Sequence, residues 1–436
     1  MNRGNTLLSD FSLSAFIAGV LSAFVGFAGS FAIVVQGLSA AGASPGQAAS
    51  GLMALAVAMG LGGIILSLKS RMPISVAWST PGGALLATTG APAGGFEAAV
   101  GAFLVTSLLI VLAGLWKPLG RWVTAIPANI ANAMLAGVLL YFCLQPAQAV
   151  ADEPWLALPV IAAWAIMLRV KGLYAVPAAL AVMVLVIVFS GRGSLAENAE
   201  FWISPVFIMP VFDMASIIGI AVPLFLVTMA SQNIPGIATL NGNGYSPPAG
   251  PLFTSTGVLS FLAAPFGGHG VNLAAITAGM CAGSDAHPDP ARRYWSAIVG
   301  GACYIVYGLL AGLVTALIAG SPTVLINAVA GLALIGTFIM ALTNAFTDPE
   351  KPKDDKSKTD KTAEGEPALG KNQTQAPAAE KPDEKKPEPV RREPAAVTFL
   401  VTASGLSLFG IGSAFWGLAA GIALTAILHA YKPVPE

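Results

Sequence analysis

Two polar, glycine-rich stretches interrupt an otherwise apolar sequence: residues 73–83 (PISVAWSTPGG) and residues 265–273 (PFGGHGVNL). They lie at matching places in the two halves of the chain, and each opens with a proline. Inside a membrane, non-helical backbone is tolerated only where it is buried in protein or lines a cavity. Paired interruptions of this kind therefore indicate the binding site of a transporter. The alternative is a pair of kinked helices that pack through small residues.

The composition places this chain in a membrane. Hydrophobic residues make up 55% of the sequence and charged residues 10%, with a mean hydropathy of +0.74, whereas about 25% charged residues is typical of soluble domains. We predict an all-α polytopic membrane protein. No metal-ligand cluster or nucleophile–base pair converges in the sequence, so we expect no enzyme, no cofactor and no bound metal. We also expect no nucleic-acid partner.

Fourteen segments are apolar enough to be membrane spans, although some fall short of the usual 20 or so residues. Basic residues such as Lys69, Arg71, Arg169 and Lys171 fall in the loops on one side, and the opposite loops hold one, Arg192. This asymmetry predicts that both termini are cytoplasmic and that the protein lies in the inner (plasma) membrane. The predicted spans are 11–37, 47–68, 74–90, 97–116, 126–148, 154–170, 173–190, 213–233, 251–264, 270–283, 294–318, 322–346, 395–411 and 413–431.

These segments divide into two sets of seven, and an odd number per set makes the repeats inverted. Residues at matching positions favour duplication: Gln36 and Gln232 end the first and eighth spans, and Asn132 and Asn327 lie five residues after a proline in the fifth and twelfth. The interruptions fall in spans three and ten. We therefore predict two inverted seven-segment repeats, with short extended stretches in those two spans.

Residues 347–394 form a separate unit. They are dense in charged residues and proline and nearly free of large apolar side chains, so they cannot bury a core. We predict a disordered cytoplasmic loop that acts as a solvated spacer. A regulatory docking segment is the alternative.

The first interruption has the residues of an anion site. Thr80 can cap a helix, and Pro81 suits the first helical turn because no N–H donor is needed there. Gly82 permits a close backbone approach. A helix that starts here directs unpaired N–H groups and a partial positive charge toward the middle of the membrane, where they can bind a carboxylate. Ser79, Thr80, Pro81 and Gly82 are the candidate binding residues.

The second interruption supplies a matching set. Its glycines permit an extended crossing, and two extended stretches that meet at the midplane can pair and satisfy each other's backbone groups. Asn272 can cap the helix that follows, and we expect Gly270 and Asn272 to contact the substrate. His269 is an ionisable residue within the predicted membrane region, which by default indicates function, and imidazole titrates near neutral pH. We predict a proton-coupling role for His269; a neutral packing residue is the alternative.

Two amides complete the candidate site. Gln232 and Asn233 end the eighth span, beside Pro235 and Gly236. Uncharged amides can orient a ligand by hydrogen bonding, or they can hold neighbouring helices together. Both interpretations stay open, and we include Gln232 and Asn233 among the expected substrate-binding residues.

Three motifs resemble the benzoate–proton symporter (BenE-type) family: residues 71–82 (RMPISVAWSTPG), 266–277 (FGGHGVNLAAIT) and 286–295 (AHPDPARRYW). That family is similar to uracil permeases. The resemblance implies the seven-plus-seven fold of those permeases. It also implies that Gln232 and His269 stand at the positions where the nucleobase relatives have the carboxylates of their binding site. It also implies a core domain that moves against a gate domain. The core would comprise 1–125 and 213–320, and the gate 126–212, 321–346 and 395–436.

The function that these features predict is uptake of benzoate or a similar aromatic carboxylate together with a proton, by alternating access. A co-transported proton offsets the cost of moving an anion into a negative cytoplasm, about 2.3 kcal/mol per charge per 100 mV. The ring would pack on aromatic neighbours such as Phe27, Phe31 or Trp78. Alternatives are a nucleobase or inorganic-anion carrier of the same fold, an anion channel, and a membrane scaffold that transports nothing. The expected partners are the substrate, a proton and the lipid bilayer, and whether the protein also forms a homodimer stays open.

Overall fold

The computed structural model describes residues 9–116, 118, 127–191, 203–274, 276–347, 392–409 and 411–430. This part of the chain is mostly helical, with two three-residue strands. In chain order the elements are α1 (Leu13–Ala28), α2 (Phe31–Ala40), α3 (Pro45–Ser70), β1 (Val76–Trp78), α4 (Thr80–Thr89), α5 (Gly95–Leu115), α6 (Ala128–Asp152), α7 (Pro154–Lys171), α8 (Ala175–Ser190), α9 (Met214–Gly242), α10 (Ala249–Ala263), β2 (Val271–Leu273), α11 (Ile276–Ala282), α12 (Tyr294–Leu309), α13 (Ala311–Ala319), α14 (Thr323–Phe346), α15 (Glu393–Ala403) and α16 (Ser413–Ala430).

Eight helical stretches in the described residues are long and apolar enough to cross a membrane, which confirms a polytopic membrane protein. One of them, Pro154–Ser190, covers two of the predicted spans. The count of fourteen spans and the inverted repeat stay predictions. Most of the predicted loop 347–394 lies outside the described residues.

The first predicted span, 11–37, corresponds to the apolar stretch Leu13–Ala40, but this stretch is not one continuous helix, because the chain breaks between α1 and α2 at Gly29 and Ser30. Ser30 leaves the helical conformation, with φ −149°. Its hydroxyl donates to the carbonyl of Gly26 at 3.0 Å and accepts the indole N–H of Trp78 at 2.8 Å. A serine that bonds the carbonyl four residues earlier commonly bends a helix, and here the bend becomes a break.

Helix α9 is widened at two places. The turns Ile217–Ala221 and Met229–Asn233 are π-helical, and each lies just before a proline, Pro223 or Pro235. Proline lacks the N–H that would continue the helical ladder, and its ring clashes with the carbonyl of the preceding turn. Such π turns are frequent at functional sites. The second one contains both amides that the sequence singled out.

The helices pack in two groups. In the first group α12 lies against α1 and α3, and α5 lies against α10. In the second group α6 lies against α14 and α15, α7 against α8, and α15 against α16. Glycines allow the closest approaches: a Cβ on Gly60 of α3 would lie 2.5 Å from the carbonyl oxygen of Gly301 on α12, and one on Gly37 of α2 would lie 2.3 Å from that of Gly83 on α4.

The contact between α2 and α4 yields a stability prediction. We expect Gly37→Ala to lower the free energy of unfolding by about 1–3 kcal/mol, because the new methyl group meets backbone that cannot give way. The control is Gly46→Ala, since nothing lies within 4 Å of a Cβ there. Thermal unfolding in detergent should show a lower midpoint temperature for Gly37→Ala than for the wild type, and no decrease for Gly46→Ala. Equal midpoints would contradict the close packing of α2 on α4.

Candidate functional site

The two interruptions meet as a pair of antiparallel strands. Val76 pairs with Leu273, Ala77 with Asn272, and Trp78 with Val271. The ladder extends at both ends, because the N–H of Ser79 donates to the carbonyl of Gly270 at 3.1 Å and that of Ala274 to Ser75 at 3.0 Å. The predicted pairing of two extended stretches is therefore confirmed, and the kinked-helix alternative does not hold.

Helices α4 and α11 begin at opposite ends of this ladder. Helix α4 follows β1 and starts beside Gly270, whereas α11 follows β2 and starts at Ile276, beyond the pair of Ser75 and Ala274. Four residues separate the two ends, or about 13 Å at the usual rise of a strand. Both helix N-termini consequently point toward the ladder from opposite directions.

Side chains take the place of a third strand along β2. Ser260 of α10 accepts the N–H of Val271 at 2.8 Å and donates to the same residue's carbonyl at 3.0 Å. Asn233 of α9 accepts the N–H of Leu273 through Oδ1 at 2.9 Å. These bonds satisfy the backbone groups of β2 that face away from β1, which the hydrocarbon of a membrane could not satisfy. Asn233 therefore supports strand β2, and its expected role in orienting the substrate stays a prediction.

A serine on α3 repeats this arrangement just before β1. Ser67 accepts the N–H of Ile74 at 3.1 Å and donates to the carbonyl of Ile74 at 3.2 Å. In each half of the chain, then, a serine on the helix before the interruption bonds both backbone groups of one residue. Neither Ser67 nor Ser260 stood out in the sequence, because serine is common in membrane helices and carries no periodicity of its own.

The start of α4 differs from the prediction by one residue. Ser79, not Thr80, is the cap, and its hydroxyl accepts the N–H of Gly82 at 3.2 Å while it bonds the hydroxyl of Thr228 at 2.8 Å. Pro81 lies in the first turn, as predicted. The N–H of Gly83 bonds the carbonyl of Ser79. Within the described chain, this leaves the N–H of Thr80 as the free donor of the first turn.

His269 is fully buried and lies against this helix start. Its Nε2 is 2.8 Å from the carbonyl oxygen of Ser79. A carbonyl only accepts, so Nε2 carries the hydrogen, and in a neutral ring Nδ1 is then the unprotonated nitrogen. Nδ1 is buried without a hydrogen-bond partner among the described residues. The ring also packs edge-on against Phe103 of α5.

Asn272 lies in the middle of β2 and not at the start of a helix, so its predicted capping role is wrong. The residue is fully buried, and both polar atoms of its side-chain amide lack a partner in the described structure. An unsatisfied buried amide costs about 1–3 kcal/mol and so calls for a function. Gln232 lies in the second π turn of α9 and is partly exposed.

A cavity of about 420 Å³ lies at the break between α1 and α2. Its walls come from α1 and α12 of the first helix group, from α2 and α13, which pack against α3 of that group, and from α8 and α14 of the second group. Phe27, Phe31 and Tyr307 line it, with ring centroids 5.8 Å apart for Phe27–Phe31 and 5.1 Å for Phe27–Tyr307. The ring of Phe27 also lies 5.2 Å from that of Trp78. Two of the three aromatic residues predicted to contact a ring thus line this cavity.

The candidate polar residues do not line the cavity. Trp78 of β1 connects the strand pair to the cavity, because its indole donates to Ser30 at the cavity wall. The first turn of α2, from Phe31 to Ile33, faces the cavity directly, and the Ser30 side chain does not cap it. The sequence signal for this break is the pair Gly29 and Ser30 in the middle of an apolar run.

The third sequence motif, 286–295, shapes a loop instead of a binding site. The side chain of Arg293 is buried and donates to three carbonyls, those of Ala282 at 2.8 Å, His287 at 2.6 Å and Pro288 at 3.2 Å. Asp289 caps the following turn by accepting the N–H of Ala291. The guanidinium therefore ties the end of α11 to the loop before α12.

We expect Ser260→Ala to lower the free energy of unfolding by about 1–3 kcal/mol, because the buried N–H and carbonyl of Val271 would lose their partner. Ser255→Ala on the same helix is the matched control, since that hydroxyl is exposed and bonds only its own helix. Thermal unfolding of the purified variants would measure the difference. If the two variants unfold at the same temperature, Ser260 does not support the strand.

Comparisons with known proteins identify the chain's relatives. The family model described as "Benzoate membrane transport protein" matches residues 9–427. The chain is 38% identical over 413 residues to "Inner membrane protein YdcO" of Escherichia coli (strain K12), with 95% of each chain covered. It is 31% identical over 424 residues to "Benzoate membrane transport protein" of Acinetobacter baylyi (strain ATCC 33305 / BD413 / ADP1), with 97% of each covered.

Two solved structures share the fold. The transmembrane domain of the cyanobacterial bicarbonate transporter BicA superposes with a TM-score of 0.55 at 16% identity, covering 76% of this chain and 94% of that one. SLC26A9 superposes with a TM-score of 0.52 at 14% identity, covering 97% of this chain and 66% of that one. Together with the match over nearly the full chain, these findings make the protein a membrane transporter and not an enzyme; it belongs to the benzoate membrane transport protein family.

Proposed function

We propose that this protein imports benzoate or a similar aromatic carboxylate together with a proton, by alternating access across the inner membrane. The observation that carries the proposal is the aromatic cavity between the two helix groups, next to the paired strands. Similarity to an Acinetobacter protein named for benzoate transport supports the substrate. The E. coli relative, named as an inner membrane protein, supports the location.

The ring of the substrate would occupy the cavity. Offset and edge-to-face aromatic contacts are worth about 0.5–1.5 kcal/mol beyond the area that they bury, and Phe27, Phe31 and Tyr307 offer such contacts. Apolar walls favour a planar ring over a hydrated inorganic anion. This is why benzoate ranks above the alternative of an inorganic-anion carrier.

The carboxylate would face the strand pair. Thr80 offers a free N–H at the positive end of α4, and the amide of Asn272 has both atoms unpaired. Ser79, Pro81, Gly82 and Gly270 would shape this position through their backbone. The uncapped first turn of α2 offers further N–H groups at the cavity itself. In this scheme the anion needs no lysine or arginine.

His269 would carry the proton. Its Nε2 is engaged by Ser79, whereas Nδ1 is free to accept. Protonation would place a positive charge beside the start of α4, where it would attract the carboxylate. Proton and anion would therefore bind together, so that the loaded site is neutral and crosses the membrane potential at little cost.

Alternating access would come from movement between the two helix groups. We assign the core to 1–125 and 213–320 and the gate to 126–212, 321–346 and 395–436, as the family resemblance implies. The packing of α1, α3, α5, α10 and α12 on one another and of α6, α14, α15 and α16 on one another supports this division. The paired roles of Ser67 and Ser260 support the inverted repeat. We further propose cytoplasmic termini.

The substrate prediction is tested in proteoliposomes with an imposed pH gradient, inside alkaline. We expect labelled benzoate to accumulate against its gradient, and unlabelled benzoate to compete where uracil and sulfate do not. Competition by uracil would favour a nucleobase carrier, and competition by sulfate an inorganic-anion carrier. Flux that neither saturates nor accumulates would indicate a channel, and no flux together with no ligand-induced thermal shift would indicate a scaffold.

The proton role of His269 has a direct test in two variants. His269→Gln can still donate to Ser79 but cannot titrate, so we expect benzoate exchange to persist while accumulation driven by the pH gradient is lost. We expect His269→Ala to lose accumulation as well. His287, which is partly exposed in the loop before α12, is replaced in the same way as the control. Full proton-driven accumulation in His269→Ala would show that another group carries the proton.

The ring contact predicts a change in apparent affinity. We expect Phe27→Leu to raise the KM for benzoate by up to about tenfold, because it removes aromatic contacts worth about 0.5–1.5 kcal/mol. Phe16→Leu is the control, since Phe16 is exposed on the same helix and does not line the cavity. The KM values come from initial rates of uptake. An unchanged KM in Phe27→Leu would place the ring elsewhere.

A further inference from the structure

The aromatic cavity reaches the outer surface of the helix bundle on one side. Phe24 of α1 and Val184 and Val188 of α8 line the cavity and are at the same time 44%, 40% and 68% exposed. A side chain that lines a cavity and is also exposed marks the place where the cavity meets the surface. These three side chains are apolar and lie in stretches long and apolar enough to span a membrane, as expected of a surface that faces lipid.

The side chains that line the cavity change from exposed to buried toward the break between α1 and α2. On α8, Met183 and Ile187 line the cavity but are buried, and on α1 the buried Phe27 lies one turn beyond Phe24. The passage between α1 and α8 therefore leads from lipid-facing aliphatic and aromatic side chains to Phe27, Phe31 and Tyr307, the inner aromatic cluster.

The chemistry of this passage selects for an uncharged molecule. No charged side chain lines the cavity in the described structure. An ionised carboxylate that entered from the hydrocarbon would lose its hydration without gaining a partner, which costs far more than any ring contact returns. A protonated carboxylic acid or another uncharged aromatic compound has no such cost.

We propose that the cavity opens laterally to the bilayer between α1 and α8 and takes up uncharged aromatic molecules from the hydrocarbon, including the protonated form of its own substrate. This rests on the proposed function for the identity of the acid but not for the opening itself. An aromatic acid that enters this way brings its proton with it. The inner aromatic cluster is then reached both from the lipid and from the aqueous path.

The test is photolabelling in proteoliposomes with an uncharged aryl diazirine that partitions into lipid, followed by mass spectrometry of the labelled residues. We expect label on the buried Met183 and Ile187 as well as on lipid-facing residues, and we expect benzyl alcohol and benzoic acid to remove the label from the buried positions only. Val184→Trp, which fills the mouth, should reduce labelling of Met183 and Ile187 about tenfold, equivalent to about 1.4 kcal/mol of binding.

The matched control is Leu185→Trp, one residue away on the same helix, which is exposed but does not line the cavity. Unlabelled Met183 and Ile187 in the wild type, or equal labelling in the two Trp variants, would overturn the lateral opening. Label that benzyl alcohol does not displace, together with equal labelling by a diazirine on a lipid acyl chain, would make the cavity a lipid site and would overturn the proposed uptake of aromatic molecules.

Benzoate uptake measured on the same proteoliposomes separates this inference from the proposed function. Uptake without displaceable label on the buried residues rejects the lateral opening and leaves the transport function in place. Displaceable label without uptake rejects the function and leaves an aromatic site open to the bilayer.

Discussion

The structure depends on how backbone hydrogen bonds are completed where the chain stops being helical inside the membrane. Two three-residue strands pair with each other, and their bonds supply what a helix would otherwise supply. Ser260 and Asn233 complete the outer edge of β2, and Ser67 does the same for Ile74 beside β1. Because each unpaired backbone group in hydrocarbon costs several kcal/mol, these few polar side chains decide whether the strand pair can exist at all.

The same reasoning explains why the candidate polar residues are concentrated here. The strands let α4 and α11 start inside the protein with their N-termini directed at the ladder, so positive potential is present without a cationic side chain. Two of the buried polar groups without a hydrogen-bond partner in the described structure, the amide of Asn272 and Nδ1 of His269, lie in this region. A second break, at Gly29 and Ser30, opens the aromatic cavity, and the bond from Trp78 to Ser30 connects the two places. The ring of an aromatic carboxylate would thus contact the aromatic cavity, and its carboxylate would contact the adjoining strand pair.

Individual residues show how far sequence reasoning reached. The glycine and proline content of 73–83 and 265–273 predicted both interruptions and their pairing, because those residues remove helix-forming options locally. The cap of α4 was misplaced by one residue, since Ser79 and Thr80 are both able to cap and only the chain's direction out of β1 selects between them. Asn272 was expected at a helix start and lies within a strand, because the length of the extended stretch depends on its partner. The break at Ser30 was missed because glycine and serine are common within membrane helices, and the indole that bonds this serine lies 48 residues away.

By itself, the sequence determined what is local or additive: a membrane protein, its apolar segments, the two interruptions, and the family, whose motifs are contiguous. The tertiary structure decided everything that depends on a partner distant in the chain, including which hydroxyl completes which strand, which nitrogen of His269 is engaged, and where an aromatic cavity opens. The physical reason is that periodicity and propensity act over a few residues, whereas a buried polar group is satisfied by whichever side chain the fold brings within about 3 Å.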